Sequence, residues 1–83
     1  MKEENFQKTK NNLLQILERN SKIDLDLKEN ENLILELENF EMNEQEDFTA
    51  YTINFITTLG QRGFYKLITD HEQNFKDEFF VII

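Results

Sequence analysis

Residues 22–40 read KIDLDLKENENLILELENF, and the fold class turns on how this stretch pairs. Its first part, 22–27, alternates strictly between charged and apolar side chains. A period of two predicts a strand with Ile23, Leu25 and Leu27 on its buried face. Residues 33–40 alternate similarly, with Leu33, Leu35 and Leu37 on one face and Ile34, Glu36 and Glu38 on the other. Residues 28–32, Lys-Glu-Asn-Glu-Asn, predict the five-residue loop of a hairpin between them. The second run is rich in Leu and Glu, which also favour helix, so alternation and propensity disagree there.

Working outward, residues 3–19 carry Phe6, Leu13, Leu14 and Leu17 at helical spacing, with Lys8, Glu18 and Arg19 elsewhere. Lys10 falls beside the stripe, where its stem can cover the core while its ammonium reaches water. Asn20-Ser21 ends this helix as a polar turn. Beyond the hairpin, Asn43 reads as an N-cap with Glu46 at the third helical position, a capping-box-like pair. Phe48, Tyr51, Phe55, Ile56 and Leu59 then predict a second helix, closed by Gly60, with Gly63 completing the turn. Residues 64–69 predict a third strand, 70–77 a loop, and 78–83 a last strand that is apolar on both faces and so central or covered. The expected architecture is α+β in the order αββαββ, with a four-stranded antiparallel sheet and two helices on one face. One domain spans 1–83, with halves 1–42 and 43–83 related by a 42-residue offset.

The chain has 83 residues, enough for one small core with a stability of about 4–12 kcal/mol. It has no cysteine, which excludes disulfides and thiolate metal sites. No apolar run approaches the roughly 20 residues of a membrane span, and no signal-peptide core follows Met1, so a cytoplasmic location in a bacterial host cell is expected. Nine Lys+Arg against 17 Asp+Glu give a net charge of −8, which disfavours direct binding to nucleic acid or to an anionic membrane. His71 and Ser21 are the only residues of their kinds and sit in no nucleophile motif. Asp70, His71, Glu72 and Asp77 match no metal-binding loop and read as exposed acids beside a turn. Asp24, Asp26, Glu36 and Glu38 could crowd around Mg²⁺, but no lysine or histidine joins them for phosphoryl chemistry. The two glycines form no phosphate loop. Neither an enzyme, a cofactor nor a resident metal is expected.

The acidity is concentrated. Residues 23–47 hold ten acids, Asp24, Asp26, Glu29, Glu31, Glu36, Glu38, Glu41, Glu44, Glu46 and Asp47, against one base, Lys28. The rest of the chain is nearly neutral. Interleaved leucines mark this segment as folded and not as a solvated tail. In the expected hairpin Asp24 faces Glu36, Asp26 faces Ile34 and Lys22 faces Glu38, so like charges meet across strands at a cost in stability. A rule broken without compensation points to function. The acids then form a carboxylate surface suited to a groove lined with Lys and Arg, while a merely solubilising face is the competing reading. Phe40, on the acidic face of its strand by parity, is the candidate aromatic anchor beside them, with burial under a loop as its alternative.

A short, cysteine-free, strongly acidic chain with ten asparagines, eight phenylalanines, eight isoleucines and a single alanine points to an AT-rich coding source. In size and composition it resembles small phage-borne inhibitors of bacterial defence, including anti-CRISPR proteins and other nucleic-acid mimics. The resemblance implies a basic protein partner, a nucleic-acid-binding nuclease complex, with carboxylates standing in for phosphates. The alternatives are a structural protein that assembles as a homodimer, and an immunity or antitoxin protein that neutralises a basic toxin.

Overall fold

The computed structural model describes residues 2–83, in the order α1 (Lys2–Arg19), a single 3-10 turn (Ile23–Leu25), β1 (Leu33–Glu44), β2 (Thr49–Thr57), β3 (Arg62–Thr69) and β4 (Phe75–Ile82). The class is α+β with a four-stranded antiparallel sheet, but with one helix where two were expected. The strands lie side by side in chain order, β1-β2-β3-β4.

In α1, Glu3 and Glu4 in the first turn and Arg19 in the last complement the helix dipole. Thr9, Leu13 and Ile16 are buried, with Phe6 and Leu17 packed beside them. Leu14, expected on the buried stripe, is 42% exposed. Thr9 can sit inside because its hydroxyl donates to the Asn5 carbonyl at 2.7 Å. Asn20 stops the helix, its backbone N–H and its side-chain amide both donating to the Ile16 carbonyl.

Residues 22–27 are not a strand. The Ser21 hydroxyl accepts from the Asp24 N–H at 3.2 Å, Asp26 turns to φ 62°, and the Leu27 N–H donates to the Lys22 carbonyl at 2.8 Å. Ser21 offers the backbone a local bond in competition with a ladder, and Asp tolerates the left-handed conformation that Asp26 adopts. The first hairpin is therefore absent, and with it the facing of Asp24 by Glu36 and of Lys22 by Glu38.

Residues 48–59 are not a helix. Thr49, Tyr51, Ile53, Phe55 and Thr57 face α1 from β2, alternating with Ala50, Thr52, Asn54 and Ile56. Branched and aromatic side chains fit a pleated surface and crowd a helix. Asn43 is no N-cap: it lies in β1 opposite Ala50, and the Gln45 N–H closes the turn by donating to the Phe48 carbonyl at 2.8 Å. The order is αββββ, so the expected αββ repeat is not there.

β1 has 12 residues against nine in β2. Pairing runs from Leu33 opposite Thr57 to Glu36 opposite Asn54, breaks, and resumes with Glu41 opposite Thr52. Residues 37–40 of β1 thus face Ile53 alone, a slip of three. An odd slip exchanges the two faces of a strand. Leu33 and Leu35 point to α1 before the break, and Phe40 points there after it. Phe40 is 8% exposed, set edge-to-face against Phe6 (5.5 Å, 88°) and stacked on Tyr51 (6.4 Å). Leu37, expected inside, is 38% exposed.

α1 rests mainly on β2. Leu13, Ile53 and Tyr65 are fully buried at the centre, with Ile16, Phe40, Tyr51 and Leu67 around them. Gly63 ends no turn; it lies in β3, where a Cβ would come within 2.3 Å of the Val81 carbonyl oxygen and 2.6 Å of the Phe55 ring. Gly60 serves the turn between β2 and β3 at φ 86°. No helix among the described residues is long and apolar enough to cross a membrane.

Candidate functional site

β1 is an outer strand of the sheet, and the acids follow it. Asp24, Asp26 and Glu29 are exposed in the linker where β1 begins, Glu36, Glu38 and Glu41 lie along the strand, and Glu44, Glu46 and Asp47 surround the turn to β2. Glu36 and Glu41, opposite Asn54 and Thr52, point away from α1, whereas Glu44, opposite Thr49, points to the helix side. The carboxylates thus wrap an edge and both its ends; they do not tile one face. Neighbours on the same face of a strand stand about 6.6 Å apart, twice the rise per residue. The molecule measures 38 Å along its longest axis.

These charges are not neutralised internally. Among the described residues the one ion pair joins Arg19 to Glu78 at 3.8 Å, remote from β1. Lys2 and Lys22, the nearest bases in contact, donate instead to the backbone carbonyls of Glu38 and Glu29, at 3.3 and 2.8 Å. The break in β1 is fastened by Asn39, whose amide donates to Glu36 Oε2 at 2.8 Å, and by Asn54, whose amide donates to the Asn39 carbonyl at 3.1 Å. Glu36 is held in place by this arrangement.

Two expected site residues are not on the surface. Phe40 is in the core, for the reason of parity given above. Glu31 is fully covered, and its carboxylate accepts from the Lys28 N–H (2.9 Å), from the Gln61 amide (2.9 and 3.1 Å) and from the Thr57 hydroxyl. The Thr57 hydroxyl, followed by the Lys28 N–H, holds the Glu31 carboxyl below its ordinary range. Around it the Thr58 N–H donates to the Asn32 carbonyl at 2.9 Å, and the Asn32 N–H to the Thr58 hydroxyl at 3.1 Å. Glu31 therefore rivets the linker to the β2–β3 turn. No local motif announces this role, because Thr57 and Gln61 lie far along the chain.

The loop between β3 and β4 is closed on itself. Asp70 accepts from the backbone N–H groups of Asn74 and Glu72, both at 2.9 Å, and the first of these bonds is the main cause that lowers its pKa. His71 Nε2 donates to the Glu46 carbonyl at 2.8 Å, tying the β3–β4 loop to the acidic turn. Tyr65, buried and donating to Glu78 at 2.7 Å, stays protonated because burial pushes its hydroxyl pKa up.

Compared with known proteins, the chain matches no family model, no curated protein and no solved structure.

Proposed function

We propose that the protein is a stoichiometric inhibitor whose acidic edge enters a Lys/Arg-lined nucleic-acid site of a bacterial defence nuclease. The observation that carries this reading is the placement of nine surface acids along one outer strand and its two ends, none of them in an ion pair with another of the described residues. A groove built to hold a polyanion would find there a row of fixed, unpaired charges. Each contact displaces counterions on the basic side, so association should be fast at low salt and fall steeply as salt rises. The test is capture of partners from a host lysate at low and high salt, followed by assay of the captured nuclease with and without the protein. Recovery of a nuclease that salt releases and the protein inhibits supports the reading. Capture indifferent to salt, or no inhibition, removes it.

A second reading, a homodimer, is supported by the uncovered sheet face. Four rows cross it: Ile34, Ile56, Arg62 and Ile83; Glu36, Asn54, Phe64 and Val81; Glu41, Thr52, Lys66 and Phe79; Asn43, Ala50, Ile68 and Asp77. β1 gives this face two acids and β3 two bases. A two-fold axis running along β2 would set β1 of one copy over β3 of the other, with Glu41 meeting Lys66. Ile34 and Phe79, about half exposed, would be covered by the same contact.

A further inference from the structure

A groove of about 450 Å³ opens between α1 and the part of the sheet nearest the β3–β4 loop, within the range of small-molecule sites. Tyr51 and Phe75 supply aromatic walls, Lys8, Asn12 and Gln73 a polar rim, and Thr69 part of the lining. None of the residues around it is acidic and none belongs to β1. In a chain of net charge −8, this is a local exception.

Thr69 is 5% exposed, and among the described residues its hydroxyl is the one buried side-chain polar atom with no hydrogen-bond partner. Buried hydroxyls are ordinarily satisfied, and this one, covered on all sides, is an unmet bond behind the groove wall that a bound molecule does not touch. Lys8 Nζ donates to Gln73 Oε1 at 2.7 Å, which leaves the Gln73 NH₂ and the rest of the ammonium free as donors. Gln73 is set in place by the closed Asp70 loop: it sits at φ 68° with its N–H donating to the Asp70 carbonyl at 3.0 Å. The rim is thus built before any ligand arrives.

This chemistry discriminates among ligands. A cation would find no carboxylate. A plain hydrocarbon would leave Lys8 and Gln73 unused. We propose that the groove binds a planar heteroaromatic anion, of which a nucleoside monophosphate is the test ligand. The ring lies against Phe75 and Tyr51, the Asn12 amide meets its polar edge, and Lys8 with Gln73 receives the phosphate. The proposal is independent of the acidic edge.

The experiment titrates the whole protein with adenosine monophosphate, adenosine and inorganic phosphate, following backbone amide shifts. The monophosphate should bind saturably with Kd below about 1 mM, with shifts centred on residues 8, 69, 73 and 75. Lys8→Met should weaken the monophosphate about tenfold and leave adenosine unchanged. Thr69→Val, which removes a hydroxyl that no ligand touches, should leave both aromatic ligands unchanged. Phe75→Ala, at a residue 57% exposed and so tolerant of change, should weaken both aromatic ligands. No saturable shift by about 10 mM, inorganic phosphate binding as tightly as the monophosphate, or indifference to Lys8→Met would each overturn the proposal.

Discussion

At the scale of single residues, Glu31 and Gly63 carry constraints that their neighbours in sequence do not reveal. Glu31 accepts three kinds of hydrogen bond in its ionised form, and its pKa lies below the ordinary 4.5. A depressed carboxylate stabilises the fold fully above its unfolded value and loses that contribution as pH falls through the lower folded value. Acid unfolding followed by circular dichroism should therefore show a limb below about pH 4.5 that Glu31→Gln reduces, along with a lower midpoint at neutral pH. An unchanged acid limb in that variant would mean that other carboxylates carry it. Gly63 has a different constraint. Ala at this site would drive a methyl into the Val81 carbonyl, 2.3 Å away, so Gly63→Ala should cost at least the ~1–3 kcal/mol of overpacking. Gly60→Ala meets no neighbour and strains only its positive φ, so chemical denaturation should rank it as the milder change, at about 1 kcal/mol.

Among the elements, β1 decides most. Its three-residue slip converts Phe40 from an outward to an inward residue, and the two placements differ measurably. Phe40→Ala should cost about 3–5 kcal/mol as a core truncation, against less than about 0.5 for an exposed aromatic away from structure. Urea midpoints at constant slope would read the difference. The same slip explains what the sequence could and could not disclose. Strict alternation in 33–36 identified the strand and its inward leucines, but alternation carries no mark of an inserted bulge, so parity failed at Phe40, although Leu37 still lines the cleft beside α1 with Leu33 and Leu35. The helix over 3–19, the strand over 64–69 and the antiparallel sheet were legible because apolar period and turn chemistry agreed there. In 48–59 they conflicted: Phe48, Tyr51, Phe55 and Leu59 fit a helical stripe, while Thr49, Thr52, Ile53, Ile56, Thr57 and Thr58 argue for a strand, and the branched residues prevail once β1 and β3 offer partners on both sides. In 22–27 the opposite happened, since an alternating segment with no partner strand turned back on its own backbone and on the Ser21 hydroxyl. The acids were legible as a cluster, though their arrangement as an edge depended on pairings that no local pattern encodes.

At the scale of the whole molecule, the two readings of function divide by which charges they need. Glu44, on the helix side, and Glu46, in the turn beyond β1, lie off the uncovered sheet face, whereas Lys66 lies on it. Reversing Glu44 and Glu46 to Lys should slow association with a basic partner by at least about tenfold at low salt and leave self-association untouched. Lys66→Glu should do the reverse, and sedimentation at micromolar concentration would report it. A strict monomer at that concentration would remove the homodimer. Exposed β1 also meets a general need, since a charged outer strand resists pairing with other chains. β4, the other outer strand, carries Lys76, Asp77 and Glu78 in its first half, but its last four residues, Phe79-Phe80-Val81-Ile82, have no such protection.

Strand order that repeats chain order has a consequence for how the protein comes into being. Each strand bonds to the one made just before it, so the sheet can grow by successive hairpins, each closing in about 1–10 μs. The helix leaves the ribosome first, yet the surface it rests on is assembled later, from β2 and its neighbours. Pulse-labelled hydrogen exchange during refolding should find the β2–β3 amides protected before those of α1, and the reverse order would contradict this sequence of events. During the interval Phe6, Leu13 and Ile16 are bare, which makes the newborn helix the segment a chaperone meets.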